Sequence, residues 1–314
     1  MKIRAIACAI PKDGINNIEN AAVFGETRVD LEKKIGAIFL PRISERVETS
    51  DMVVDAVRNV CALEHISKES IEALVVVTQN GDRGQTIPHV SAVAHAKLGL
   101  PSGTVAFDIG LGCSGYVYGL HILRGLMLQL GLNRGVLVTA DPYSKIIDPT
   151  DRSTTLLFGD ASSATLVDNE GQWSIGRSLL ETDGTGSDHI RTDEHKFIMN
   201  GRQVFNFAVT RVPEQIRRLL SLDNLTESDI DAFILHQGSA AVVKAIASKF
   251  PASSERFPCE LKNTGNTVSS SIPLILSGLI KDKKNKRFVL SGFGVGLSWG
   301  STIITREASE GINV

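Results

Sequence analysis

The chain lacks the features that would mark it for a charged polymer, a metal ion or a membrane. With 33 Lys and Arg against 35 Asp and Glu in 314 residues, its formal charge of -2 supplies no field for nucleic acid or an anionic lipid surface. Aromatic residues make up 5%, too few for a platform on which single-stranded bases would stack. The four cysteines, Cys8, Cys61, Cys113 and Cys259, are widely spaced and form no C-x-x-C pair or Cys/His cluster, which argues against a zinc site or a redox dithiol. They read as the thiols of a reduced, cytoplasmic protein. No apolar run approaches the roughly 20 residues of a membrane span, because His121, Arg124 and Gln129 interrupt the longest one. The basic start runs into a short apolar stretch that ends at Pro11, a better first strand than an export signal.

What is present is a globular balance, 42% hydrophobic and 22% charged, able to bury a sizeable core in one large domain or two ordinary ones. Residues 3–10 read as a strand. Residues 11–50 show little periodicity, and a stretch of that length is commonly a functional cap or loop. Ser50-Asp51 is an acceptable N-cap for a helix carrying Val53, Val54, Ala56, Val57, Val60 and Leu63. Buried strands are expected at 73–78, 105–109, 135–140 and 164–167, with a small-residue helix at 90–98.

The second half repeats the first. Leu63 to Val76 and Leu222 to Leu235 align without a gap, about 160 residues apart, and Val136 to Ala140 has its counterpart in Val289 to Phe293. A duplicated strand and helix unit predicts two similar α/β halves, 1–168 and 169–314, divided at the polar turn Asp168 to Gly171, with mixed sheets covered by helices. Open α/β sheets bind ligands beyond the carboxyl ends of their strands, so the chemistry is sought at strand tips.

At the tip of Val105 to Ile109, a glycine turn carries Cys113 to the start of a long apolar-periodic segment that reads as a helix. Unpaired N–H groups and the positive end of the helix dipole favour negative charge there, so this thiol should ionise more easily than a free one. Two other readings compete. A lone cysteine in apolar surroundings is commonly packing, and Gly110-Leu-Gly112-Cys113-Ser114-Gly115 also fits the G-x-G-x-x-G turn of a dinucleotide-dependent oxidoreductase. That rival needs an acidic ribose ligand about 20 residues on, and Asp141 lies rather too far along. In the second half, His236 directly follows the apolar run Ala232 to Leu235. Asn266 lies in the loop Asn263 to Pro273, and Ser291-Gly-Phe-Gly-Val-Gly296 can bring bare backbone N–H groups close to a substrate. Singly each is weak, since a strand-end histidine is often structural and a glycine-loop asparagine often a turn former. Together a thiolate, an imidazole and a carboxamide make a covalent acyl-transfer site.

With these motifs in this order, the chain resembles the β-ketoacyl-acyl-carrier-protein synthase III family of the thiolase superfamily, from the first strand to Thr305. Cys113 in Asp-Ile-Gly-Leu-Gly-Cys-Ser-Gly, His236 in Leu-His-Gln and Asn266 in Gly-Asn-Thr-Val-Ser-Ser-Ser-Ile-Pro match the family's nucleophile, histidine and asparagine. Asp148-Pro-Thr-Asp-Arg152, Phe158-Gly-Asp160, Met199 to Phe205 and Gly292 to Gly300 support the match. The resemblance implies a five-layered αβαβα fold of two duplicated halves, a homodimer, and no metal or other cofactor beyond its thioester substrates. It implies that an acyl group from acyl-CoA or an acyl carrier protein is loaded on Cys113 and condensed with a malonyl thioester, with loss of CO₂, in fatty-acid-like or specialised (polyketide or related) biosynthesis. Backbone N–H groups of Cys113 and Val295 would form the oxyanion hole, and Arg46, Arg152, Phe205 and Gly294 would contact substrate. Transfer to oxygen or nitrogen without decarboxylation is the alternative on the same fold, and a catalytically silent partner subunit is disfavoured by the presence of all three reactive residues.

The chain departs from the family pattern in ways that bear on substrate. Residues 28–50 lack the tryptophan that often clamps the adenine of CoA, while Arg152, the other half of that clamp, is present. Val295 replaces a glycine and should narrow the pocket. Gly238-Ser239 and Ala161-Ser162-Ser163 replace family motifs, and only Lys244 and Lys249 remain of the basic residues that dock a carrier protein. The run Lys281 to Arg287 reads as a solvated turn. Cys8, Cys61 and Cys259 read as packing, and His65, His89, His121, His189 and His195 carry no motif.

Overall fold

The structure is a computed structural model describing residues 1–194 and 196–307. His195 and residues 308–314 of the expected C-terminal half lie outside the described residues. The first half runs β1 (Lys2–Ala9), β2 (Gly14–Asn16), α1 (Asn17–Val23), α2 (Arg28–Asp30), β3 (Phe39–Pro41), α3 (Thr49–Glu64), β4 (Ala73–Val77), α4 (Val90–Leu98), β5 (Val105–Ile109), α5 (Gly115–Leu130), β6 (Arg134–Ala140), α6 (Arg152–Thr155) and β7 (Ser162–Asp168). The second runs β8 (Trp173–Thr182), β9 (Ile190–Asp193), β10 (Lys196–Met199), α7 (Gly201–Leu222), β11 (Ala232–Leu235), α8 (Ala240–Ala247), α9 (Ser271–Leu279), β12 (Arg287–Gly294) and β13 (Ser298–Arg306).

The two halves carry the same strand order. In the first it is β4-β6-β7-β1, with β5 added outside β4. In the second it is β11-β12-β13-β8. Parallel β4–β6 corresponds to parallel β11–β12, and the antiparallel β6–β7 and β7–β1 ladders correspond to β12–β13 and β13–β8. A short β1–β8 ladder, Lys2 opposite Ser174 and Ile3 opposite Trp173, joins the sheets edge to edge. The aligned segments agree in backbone detail as well. His65 and Asn224, at equivalent positions, both end their helices in the left-handed region, with φ of 51° and 54°.

Helix packing divides the core into five layers. Between the sheets lie α5 and α9, whose Tyr116, Leu120, Leu123, Ile272 and Leu276 meet Val75, Val77 and Leu137 of one sheet and Ile234 and Leu290 of the other. Outside the first sheet, Val53, Val57 and Val60 of α3 and Val90 and Ala94 of α4 cover Leu74, Val76 and Val138. Outside the second, Val212, Ile216 and Leu219 of α7 and Ile246 of α8 cover Phe233, Leu235 and Val289. Strands buried on both faces explain the continuous apolar runs read in the sequence. Among the described residues no helix is long and apolar enough to cross a membrane.

Helix α3 begins one residue before the expected Ser50-Asp51 cap. Glu48 is the N-cap and Asp51 the third helical residue of a reciprocal capping box, with Glu48 N–H donating to Asp51 Oδ2 at 2.9 Å. Ser50 instead turns to Asp82, its N–H donating to Oδ1 at 2.9 Å. The 281–287 run is the exposed turn from α9 into β12, held by Asp231 accepting the Arg287 N–H at 2.7 Å.

Candidate active site

Cys113, His236 and Asn266 line one cavity of about 160 Å³ where the two halves meet. Cys113 follows the tip of β5 and stands two residues before α5, buried at 7% exposure. His236 leaves the end of β11, its backbone N–H donating to Ser291 O at 2.8 Å. Asn266 is clamped through its backbone, its N–H donating to Leu157 O at 2.9 Å and its carbonyl accepting the Gly159 N–H at 3.0 Å. Gly265 permits this loop: it sits at φ +61°, where a side chain would stand 2.4 Å from Leu40 Cδ2. The Asn266 side chain is set by Oδ1 accepting the Val268 N–H at 2.9 Å, while Nδ2 makes only a 3.4 Å contact with Gly238 O and is left for the cavity.

The rest of the lining is mostly apolar, Ser239 being the exception. Tyr143, Phe158 and Phe197 meet at centroid distances of 4.9 to 5.3 Å and form an aromatic wall. Phe197 arrives on the β9–β10 hairpin, and Tyr143 Oη donates to Gln79 Oε1 at 2.6 Å. Phe205, Gly294 and Val295 also line the cavity. Arg46 and Arg152 do not: Arg46 is exposed, and the exposed Arg152 guanidinium is held by Glu26 of the N-terminal segment. Both side chains therefore lie outside the cavity, Arg152 paired with Glu26 and Arg46 in water.

Electrostatics correct one expectation. Burial pushes the Cys113 thiol well above its usual range, and the nearby Asp141 carboxylate adds to this. The backbone N–H groups of Cys113 and Val295 pull the other way without prevailing. Burial therefore favours a neutral resting thiol at Cys113. Burial also lowers His236 to about 3, against a smaller opposing pull from the Val268 backbone, so its imidazole is neutral too. Its Nδ1 lies 2.8 Å from Ser271 Oγ, and its ring stands edge-on to Phe293.

Asp141 is the feature that sequence reasoning weighed only as a ribose ligand. It is fully buried, accepting from Gln79 N–H at 2.8 Å and from the Ser269 hydroxyl, so no ribose can reach it and the dinucleotide reading falls. Burial raises its pKa to about 6 despite those hydrogen bonds. A carboxyl whose folded value lies above its unfolded one stabilises the fold most at low pH, and that contribution is lost as pH rises through about 6. Asp141→Asn removes the titration. Relative to the parent, its unfolding free energy is expected to improve by about 2 kcal/mol between pH 4 and pH 8 in denaturant melts.

A duplicated five-layered fold with cysteine, histidine and asparagine around one apolar cavity defines the class, the condensing enzymes of the thiolase superfamily. Residues 107–184 match the family described as 3-oxoacyl-[acyl-carrier-protein] synthase III, and residues 220–306 match its C-terminal counterpart. A β-ketoacyl-[acyl-carrier-protein] synthase III of Lactobacillus helveticus is 32% identical, covering 96% of this chain and 98% of its own. One from Streptococcus agalactiae is 30% identical with the same coverage. The crystal structure of the Pseudomonas aeruginosa 3-oxoacyl-(acyl carrier protein) synthase III superposes with a TM-score of 0.89 at 28% identity, covering 98% of each chain. A polyketide priming β-ketosynthase shares the fold at 23% identity, with a TM-score of 0.87 over 97% of this chain and 96% of its own. The chain belongs to the β-ketoacyl-acyl-carrier-protein synthase III family, and is an acyltransferase-type condensing enzyme.

Proposed function

We propose that Cys113, from the half spanning 1–168, carries the acyl group, and that His236 and Asn266, from the half spanning 169–314, activate a malonyl thioester. The observation that carries this reading is that all three side chains border the same apolar cavity. The Cys113 proton passes to His236 as sulfur attacks the thioester carbonyl of an acyl-CoA or acyl carrier protein. Negative charge moves to oxygen, where the N–H groups of Cys113 and Val295 receive it, and the carrier thiolate leaves with the proton. Support for this pair of donors comes from their reach to the Cys113 sulfur. The malonyl thioester then takes the carrier's place. Hydrogen bonds from His236 and Asn266 to its carbonyl oxygen stabilise the enolate left by CO₂ loss, and the enolate carbon attacks the acyl-cysteine. No separate cofactor enters. The aromatic wall of Tyr143, Phe158 and Phe197 and the lining residue Phe205 suit an apolar acyl group. Pairing of Arg152 with Glu26, in a segment without tryptophan, favours a carrier-protein donor over CoA.

To test the reading, a panel of acyl-CoA and acyl carrier protein donors is followed by intact mass, and malonyl thioester is then added. Acyl mass on the protein followed by CO₂ release supports condensation. Acyl mass without CO₂, and with transfer to an alcohol or amine, favours the non-decarboxylative alternative.

Gly294 is expected to be indispensable to loading. A β-carbon there would stand 2.8 Å from Cys113 Cβ and 3.0 Å from Sγ, inside the space the acyl-sulfur must use. Gly294→Ala should slow acylation by about a hundredfold or more, read as mass gain against time, with a thermal melt to show that the variant folds.

The reading includes a homodimer and a cytoplasmic setting. Strand β5 ends the sheet with its outer edge unpaired among the described residues, and its Val105, Ala106 and Phe107 are only half-buried. An apolar edge of this kind is stable in solution when a second copy covers it. Sedimentation should give twice the chain mass at micromolar protein, and a monomer would remove the dimer. Four unpaired thiols support the reducing compartment.

A further inference from the structure

The cavity has a closed end and an open one. Tyr143, Leu157, Phe158 and Phe197 are exposed by 7% or less and pack with Cys113 in one apolar cluster, whereas Ser239 and Val242 are half-buried and Gly201 is exposed. A carrier's arm therefore enters past the second group, and an acyl chain on Cys113 extends toward the first. Tyr143 closes that end under a lock. Its Oη donates to Gln79 Oε1 at 2.6 Å, its backbone N–H donates to Asp141 O at 2.8 Å, and the Gln79 N–H donates to Asp141 Oδ1 at 2.8 Å. Gly112, beside the nucleophile, leaves room for the amide: a β-carbon there would stand 2.5 Å from Gln79 Oε1. Tyr143 cannot tilt away from an incoming chain without taking its hydroxyl off Gln79 and leaving it unpaired in apolar surroundings. Phe158 and Phe197, with centroids 5.0 and 4.9 Å from its own, leave the ring little room to turn.

We infer that Tyr143, locked on Gln79, is a specificity-determining residue that limits the acyl group carried by Cys113 to about two to four carbons. The inference rests on the condensing role proposed above. Its scale comes from volume. An apolar cavity of about 150 Å³ holds one benzene, about six carbons. This one, at about 160 Å³, must hold the acyl group and the malonyl head together when the C–C bond forms. A longer chain meets the Tyr143 ring, and the lock makes that ring a fixed wall where an untethered apolar side chain would give way. Gln79 is itself exposed on the chain's surface, so cutting back Tyr143 lengthens the cavity toward that surface.

The test follows intact mass against time with straight-chain acyl thioesters from acetyl to decanoyl, in the full chain and in Tyr143→Ala, Tyr143→Phe and Gln79→Ala. The parent should load acetyl to butyryl groups and take octanoyl at least about a hundredfold more slowly. Tyr143→Ala should raise octanoyl loading by about a hundredfold. Tyr143→Phe and Gln79→Ala, which keep a ring in place and remove only the lock, should raise it by about tenfold. A parent that loads octanoyl or decanoyl as fast as acetyl would overturn the inference without any variant having to fold. So would a folded Tyr143→Ala protein with the parent's chain-length profile, or folded Tyr143→Phe and Gln79→Ala proteins with parental octanoyl rates. A parent that takes no acyl group of any length removes the condensing role, and this inference with it, whereas a long-chain profile leaves that role standing.

Discussion

Cys113→Ala is expected to abolish acyl loading: the intact mass should stay unchanged in the presence of any acyl thioester, and condensation should fall by about 10⁴ or more. The reason lies in how the cavity separates charge. Both Cys113 and His236 are neutral at rest, because burial raises the thiol and lowers the imidazole. In the proposed mechanism, proton transfer to His236 and attack on the carbonyl therefore belong to one event, and negative charge passes to an oxygen that faces two N–H donors instead of resting on sulfur in an apolar cavity. Cys113→Ser should not rescue loading, since a hydroxyl is a much weaker acid than a thiol and would demand a larger charge separation from the same neutral imidazole. Both variants should melt near the parent, since they change one small side chain. A Cys113→Ala protein that gained acyl mass as readily as the parent would remove the nucleophile assigned here.

Much of this architecture was legible in the sequence because it rests on local patterns. The gapless match of Leu63 to Val76 with Leu222 to Leu235 carried the duplication, even to the left-handed residues at His65 and Asn224. A strand, a glycine turn and an apolar-periodic helix announced the Cys113 tip, and strand ends announced His236. What escaped depends on contacts between distant residues or on a balance of opposed forces. Ser271 sits in a run of three serines that reads only as the start of a small-residue helix, and its partner is 35 residues away. Arg152 matches a substrate-binding motif, yet its guanidinium is claimed by Glu26, 126 residues earlier. Phe197 reaches the cavity on a hairpin whose periodicity says nothing of where it docks. The thiol is the plainest case of a balance. Position at a helix start predicts easier ionisation, and the burial that pushes the thiol the other way is visible only in the fold.

Asn266→Asp should separate the two half-reactions more sharply than any other single change in the cavity. The side chain's Oδ1 is already engaged by the Val268 N–H, and an aspartate can keep that bond at 2.9 Å, so the loop should hold its shape. What changes is the group facing the substrate: the Nδ2 donor becomes a second carboxylate oxygen. During loading, the proposed mechanism has the Cys113 and Val295 N–H groups receive the developing charge, and acylation should fall by no more than about tenfold. During decarboxylation, the enolate oxygen would meet a like charge where it needs a donor. Removing one such donor costs about 10² to 10³ in rate, and placing a negative group there in a desolvated cavity adds repulsion, so CO₂ release should drop by about 10³ to 10⁴. Asn266→Ala, which removes the donor without adding charge, should lie between that variant and the parent. Intact mass would thus find Asn266→Asp loaded and stalled as its acyl-enzyme in the presence of malonyl thioester. Loss of loading equal to the loss of CO₂ release would mean that Asn266 acts on the first step, or on the fold, and not on the enolate.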